Sequence, residues 1–143
     1  MANWELAYRD GSRTHGLFEA ARSFEPDVIV IRFVENCPAK DPSPDLFKKE
    51  LASLIRYLDK EQKARLIVTT GFWKHPLDEA LRDYAKEAGA PLVELGDLGE
   101  DTTMKAIGLF EHGGVANHPG DLGMQCIADR ILEALLPLLS EDK

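Results

Sequence analysis

The sequence predicts an α/β fold built on a parallel sheet, and three observations carry that expectation. DVIVIRF, residues 27 to 33, is β-branched and nearly continuously apolar, as a strand buried on both faces should be. Two further apolar runs, ARLIVTTG (64 to 71) and APLVELG (90 to 96), have strand length. The segments between these runs space their apolar residues as helices do. Strand–helix–strand–helix–strand order requires parallel strands joined by right-handed crossovers.

The elements can be justified in order. One helix is expected in the first 26 residues, around Thr14 to Phe24. After the first strand, SPDLFKKELASLIRYLD (43 to 59) places Leu46, Phe47, Leu51, Leu54, Ile55 and Leu58 at helical spacing, with Ser43 before Pro44 as the start signal. PLDEALRDYAKEAG (76 to 89) reads as a helix opened by proline and acids and closed by Gly89. After the third strand comes an irregular region with room for a helical turn. A last helix is expected from about 120 to 139, with Met124, Ile127, Ile131, Leu135 and Leu138 as its apolar stripe. The sequence shows no internal repeat, low-complexity tract or linker, so a single domain is expected over residues 1 to 143.

Composition narrows the function classes. The 143 residues suffice for a real core, and 44% hydrophobic with 29% charged residues is the balance of a globular protein. A formal net charge of -8, from 25 acidic and 17 basic residues, argues against nucleic acid as a partner, since a nucleic-acid groove needs a basic footprint. No window approaches a membrane-spanning apolar run. MANWELAYRD lacks the basic start and apolar core of a signal peptide, so the expected location is cytoplasmic, with a secreted parent protein as the alternative. Cys37 and Cys126 lie far apart and match no metal spacing, which makes them free thiols in the simplest reading.

Ligands of open parallel sheets bind at the carboxyl ends of the strands. VENCP, GFWKHP and GDLGED follow the three strands, and the loop HGGVANHPGDLGM (112 to 124) leads into the last helix and could reach the same edge. His118 in that loop is either a plain helix-start residue beside Pro119 or a general base. A helix start disfavours the imidazolium, which would keep such a base neutral. Asn36 ends a buried strand, where its carboxamide can donate to an oxyanion or bond its own backbone as the chain turns. Glu35 reads as a solvated turn residue, with an orienting acid as the alternative, and Arg32 as the partner of a carboxylate or of the sheet edge. Phe72 and Trp73 suit either a pocket wall or core cover. His75, before Pro76, reads as structural. Glu111 and His112 flank the glycine loop, and either could orient His118. No glycine-rich phosphate loop follows any strand, which weighs against a flavodoxin-like nucleotide or signalling domain.

Taken in order, PDVIVIRFVENCP, RLIVTTGFW, LRDYAKEAGAPLVELGDLG and IGLFEHGGVANHPGDLGMQCIADRIL resemble the central and carboxyl-terminal parts of an SGNH (GDSL-type) hydrolase, over residues 24 to 139. That resemblance implies a flavodoxin-like α/β/α fold with a parallel sheet and a serine ester hydrolase acting on small acyl or carbohydrate esters without a cofactor or metal. By it, Asn36 matches the oxyanion asparagine and His118 the catalytic histidine. Three departures stand against the pattern. The strand-end motif Gly-x-Asn-Asp reads Val34-Glu35-Asn36-Cys37. The acid three residues before the histidine is Val115, leaving Glu111 as a substitute. The Gly-Asp-Ser block has its nearest echo in DGSRTHG (10 to 16), so Ser12 is the one local candidate for the nucleophile, yet the preceding NWELAYR makes a poor buried strand. The simpler expectation is a chain lacking the first third of the domain. It would expose the edge of DVIVIRF and favour homo-oligomers through that edge. The competing expectation is a non-catalytic domain of the same fold, acting in assembly or ligand binding.

Overall fold

Three strands, β1 (Val28–Ile31), β2 (Arg65–Thr69) and β3 (Leu92–Val93), pair in parallel in the order β1-β2-β3. Val28 faces Arg65, Ile31 faces Val68, and Val68 in turn faces Leu92. This is the α/β class that the strand–helix alternation predicts, seen in a computed structural model that describes residues 2–140. The helices are α1 (Ala2–Leu6), α2 (Glu19–Ser23), α3 (Pro44–Leu58), α4 (Asp78–Ala88), α5 (Gly113–Ala116) and α6 (Asp121–Ser140).

Successive residues of β2 point to opposite faces and serve two helical layers. Val68 joins Phe47, Leu51 and Leu54 of α3 and Leu81 and Tyr84 of α4 in one buried cluster. Ile67 joins Val93, Leu95 and Ile127 of α6 in the other. Proline opens α3 as expected, although the Ser43 side chain makes no cap bond; its backbone N–H instead donates to the Tyr8 hydroxyl at 2.9 Å. Gly89 closes α4 in a left-handed conformation, φ 63°, which glycine adopts without steric cost.

Three expectations need correction. The chain before β1 holds not one helix at 14 to 24 but α1, a kinked 3-10 segment (Tyr8–Phe18) and α2. Its anchors are aromatic: Trp4 stacks on Phe33 with ring centroids 4.9 Å apart, and Tyr8 meets the edge of Phe47. These tertiary contacts fix helical turns that periodicity alone does not announce. Second, β1 is not buried on both faces. Val30 is 42% exposed, because α6 lies over β2 and β3. No strand pairs with the outer edge of β1 among the described residues. Third, the buried stripe of α6 begins at Gly123 rather than Met124, which is half exposed.

The reason lies in how α6 docks. A Cβ at position 123 would stand 2.1 Å from the Met104 carbonyl oxygen, so only glycine lets the helix come this close. Farther along, Arg130 grips both Asp97 carboxylate oxygens, at 2.6 and 2.7 Å, and the Glu94 carbonyl. This bidentate bond holds the Asp97 carboxyl below its ordinary pKa. Gly123→Ala is expected to lower unfolding stability by about 1–3 kcal/mol, the usual cost of overpacking. Urea denaturation with an unchanged midpoint would show that this close approach does not hold α6.

Candidate active site

The backbone leaving β2 is pinned on three sides. Thr70 accepts the Leu95 N–H on its hydroxyl oxygen at 2.8 Å, tying β2 to the exit of β3. Glu35 accepts the Phe72 N–H at 2.9 Å, tying it to the exit of β1, and the same oxygen takes a bond from Arg32. Asp78, 6% exposed at the start of α4, accepts from the N–H groups of Gly71 and His75. Glu35 is therefore a brace between two strand ends rather than a solvated turn residue, and Arg32 finds its carboxylate three residues on. These bonds bring the strand-end loops together at the carboxyl edge of the sheet.

The turn after β1 is unusual. Val34 is fully buried with φ at +100°, a region that β-branched residues almost never occupy and that costs about 1–3 kcal/mol. Glu5 of α1, 3% exposed, lies against this turn. One of its oxygens accepts the Val34 N–H at 2.9 Å and the Asn36 N–H at 3.4 Å; the other accepts from Asn36 Nδ2 at 2.8 Å. The side-chain amide of Asn36 is thus neither free nor bonded to its own backbone: it donates to a carboxylate from the chain's beginning. Beside it, burial, and after it the Glu5 charge, push the Cys37 thiol up to about 12.

His118 sits on Trp73, edge to face, with centroids 5.1 Å apart and planes at 89°. Its loop is fastened to the chain before it: the Ala106 N–H donates to the His118 carbonyl at 2.9 Å, and the Gly120 N–H to the Met104 carbonyl at 2.9 Å. The imidazole Nδ1 lies 2.7 Å from the Gly114 carbonyl oxygen. A carbonyl only accepts, so Nδ1 carries a proton, and in the neutral ring Nε2 is the nitrogen with the lone pair. Comparison with protein-family models, curated proteins and solved structures returned no significant match.

The other expected residues lie apart. Ser12 belongs to the 3-10 segment on α3, where its N–H donates to Glu50 at 3.1 Å. No hydrogen bond joins it to His118 or Asn36 among the described residues. Glu111 is exposed, and the bond that orients His118 comes from the Gly114 carbonyl instead. His112 caps α5 by accepting the Val115 N–H on Nδ1 at 3.4 Å. Trp73 meets His118, whereas Phe72 is fully buried core. His75 is structural as expected. Its Nδ1 accepts the Leu77 N–H, so Nε2 bears the proton given to the Cys37 carbonyl, and both nitrogens are used.

Glu5 and Asp78 escape sequence reading. Glu5 is one acid among exposed-looking neighbours in NWELAYR, and Asp78 reads as an ordinary helix-opening acid. Only the second had a signal, since an acid at a helix start has backbone N–H groups within reach. Among the described residues, no group of three or more His, Cys, Asp or Glu side chains is placed to hold a metal ion.

The two thiols should differ sharply. With iodoacetamide at pH 8, Cys126, partly exposed on α6, is expected to react and Cys37 to stay unmodified until the protein is unfolded. Peptide mass spectrometry reads this directly, and equal labelling of both would contradict the burial of the β1 turn.

Proposed function

We propose that this chain is an SGNH-type α/β domain with the flavodoxin-like sheet order and that its site belongs to a serine ester hydrolase for small acyl or carbohydrate esters. The observation that carries the reading is the orientation of His118: Nδ1 donates to the Gly114 carbonyl, and Nε2 has no hydrogen-bond partner among the described residues. In the hydrolases it resembles, an acid gives that orientation; here a main-chain carbonyl does so, at Gly114, next to Val115. Further support comes from the turn after β1. Val34 stands where the family pattern has glycine, and its φ of +100° is a glycine-type conformation.

In this reading a serine hydroxyl attacks the ester carbonyl while His118 Nε2 takes its proton. Asn36 Nδ2 and backbone N–H groups hold the oxyanion. The proton then passes to the departing alcohol, and water releases the acid by the same route. No cofactor enters these steps. Ser12, held through Glu50 on α3, lies apart from His118, so this reading takes its nucleophile from a serine on a strand added beside β1.

The bond from Asn36 to Glu5 favours a second reading, a non-catalytic domain that acts in assembly or ligand binding. Turnover of p-nitrophenyl acetate, with labelling by a fluorophosphonate probe, separates the two. The hydrolase reading expects a labelled serine and a loss of about 10²–10⁴-fold in His118→Ala. Activity unchanged in that variant removes His118 as the base, and absence of both label and turnover leaves the second reading.

We also propose that copies associate through β1. Its outer edge lacks a strand partner among the described residues, its Val30 side chain is 42% exposed, and unpaired apolar edges invite pairing. Sedimentation velocity is expected to show a dimer; a monomer maintained from micromolar to near-millimolar concentration contradicts this.

A further inference from the structure

The oxygens of Glu5 draw three donors from one turn: the Val34 N–H, the Asn36 N–H and Asn36 Nδ2. The carboxylate is 3% exposed, and no lysine or arginine pairs with it among the described residues. Charge in such a place is tolerated only if donors replace its lost water, and these three do so. The donors are held by structure other than Glu5. Val34 is fully buried, the Cys37 N–H bonds back to the Val34 carbonyl at 2.9 Å, and Glu35 between Val34 and Asn36 is tied to Arg32 and the Phe72 N–H. α1, which brings Glu5, has five residues; it packs on the 3-10 segment that follows it and is anchored by the fully buried Trp4 against Phe33 and Phe47.

We propose that the turn Val34–Asn36 is a binding site for small carboxylates and that Glu5 is its internal occupant, closing it in the free chain. The inference deepens the reading of Asn36 as an oxyanion donor and rests on it. A carboxylate and the oxyanion of an ester intermediate present the same feature to these donors, an oxygen carrying negative charge. An acid product or an acyl group would therefore compete with α1 for one set of N–H groups. Displacement of Glu5 would carry its neighbour Trp4 away from Phe33, coupling occupancy of the site to the docking of the amino-terminal segment.

The test is to empty the site and refill it. Glu5→Ala removes the carboxylate and leaves the donors. Sodium acetate, compared with sodium chloride at equal ionic strength, is expected to raise the Tm of this variant saturably and to leave the original chain unaffected. In ¹H–¹⁵N spectra, acetate should shift the backbone amides of Val34 and Asn36 and the Asn36 side-chain amide. Adding Asn36→Ala should weaken acetate at least tenfold. A rise equal to that in chloride, or shifts spread over surface residues, overturns the proposal.

If Glu5→Ala does not fold, Glu5→Gln has the same length without the charge and offers one acceptor oxygen to donors that faced two. Acetate-dependent shifts of the Asn36 side-chain amide are then expected in the variant and not in the original chain; their absence overturns the proposal. Acetate binding needs no nucleophile. A Glu5→Ala chain that binds acetate without any ester turnover sinks the hydrolase reading alone, and ester turnover without acetate binding sinks the carboxylate site alone.

Discussion

Everything at the carboxyl edge of the sheet hangs on the hydrogen bonds that hold the chain as it leaves β2. Thr70, Glu35 and Asp78 each take a backbone N–H from this exit or present to it from a neighbouring strand or helix. A backbone turning through a dry interior must have each N–H paired, because an unpaired one costs about 1–3 kcal/mol. Side chains supply what the ended ladder no longer can. The pinned segment then delivers Trp73, and His118 packs on Trp73. The end of β1, the end of β2 and the start of α6 thereby form one continuous contact path, Glu35 to Phe72 to Trp73 to His118.

The two proline-adjacent histidines show how tertiary bonds assign roles that sequence leaves equal. His75 and His118 both precede a proline at the start of a helix. His75 uses both ring nitrogens on backbone partners and has nothing left to offer a substrate. Among the described residues, His118 spends only Nδ1, on the Gly114 carbonyl. The same chemistry distinguishes the acids. Glu5 and Asp78 are buried because backbone donors surround them, whereas Glu94 and Asp97 stay near solvent and meet arginines. Exposed pairs of the latter kind add little stability, about 0.2–1 kcal/mol in typical cases, and their value here is to position α4 and α6.

Much of the fold was legible because strands and long helices announce themselves through side-chain periodicity. The runs around Val28, Arg65 and Leu92 became strands in parallel order, and the stripes of α3 and α6 landed on the core with Gly123 displacing Met124. The amino-terminal segment did not announce itself. Its turns are held by Trp4, Tyr8 and Glu5 against partners some thirty or more positions away, such as Phe33, Asn36 and Phe47. Of the candidate site, His118 and Asn36 stood out as polar residues at the right ends of elements, but what each one bonds to was not readable.

The sequence by itself determined the alternation of strands and helices, the acidic surface, and the glycines and prolines that start and stop elements. These follow from local sterics and from the spacing of apolar residues along one chain. Only the tertiary structure decided that β1 has no strand on its outer edge among the described residues, that Gly114 rather than an acid orients His118, and that Glu5 fills the turn that holds Asn36. Those outcomes depend on which donors and acceptors meet across long sequence separations. Packing, not local preference, sets such meetings.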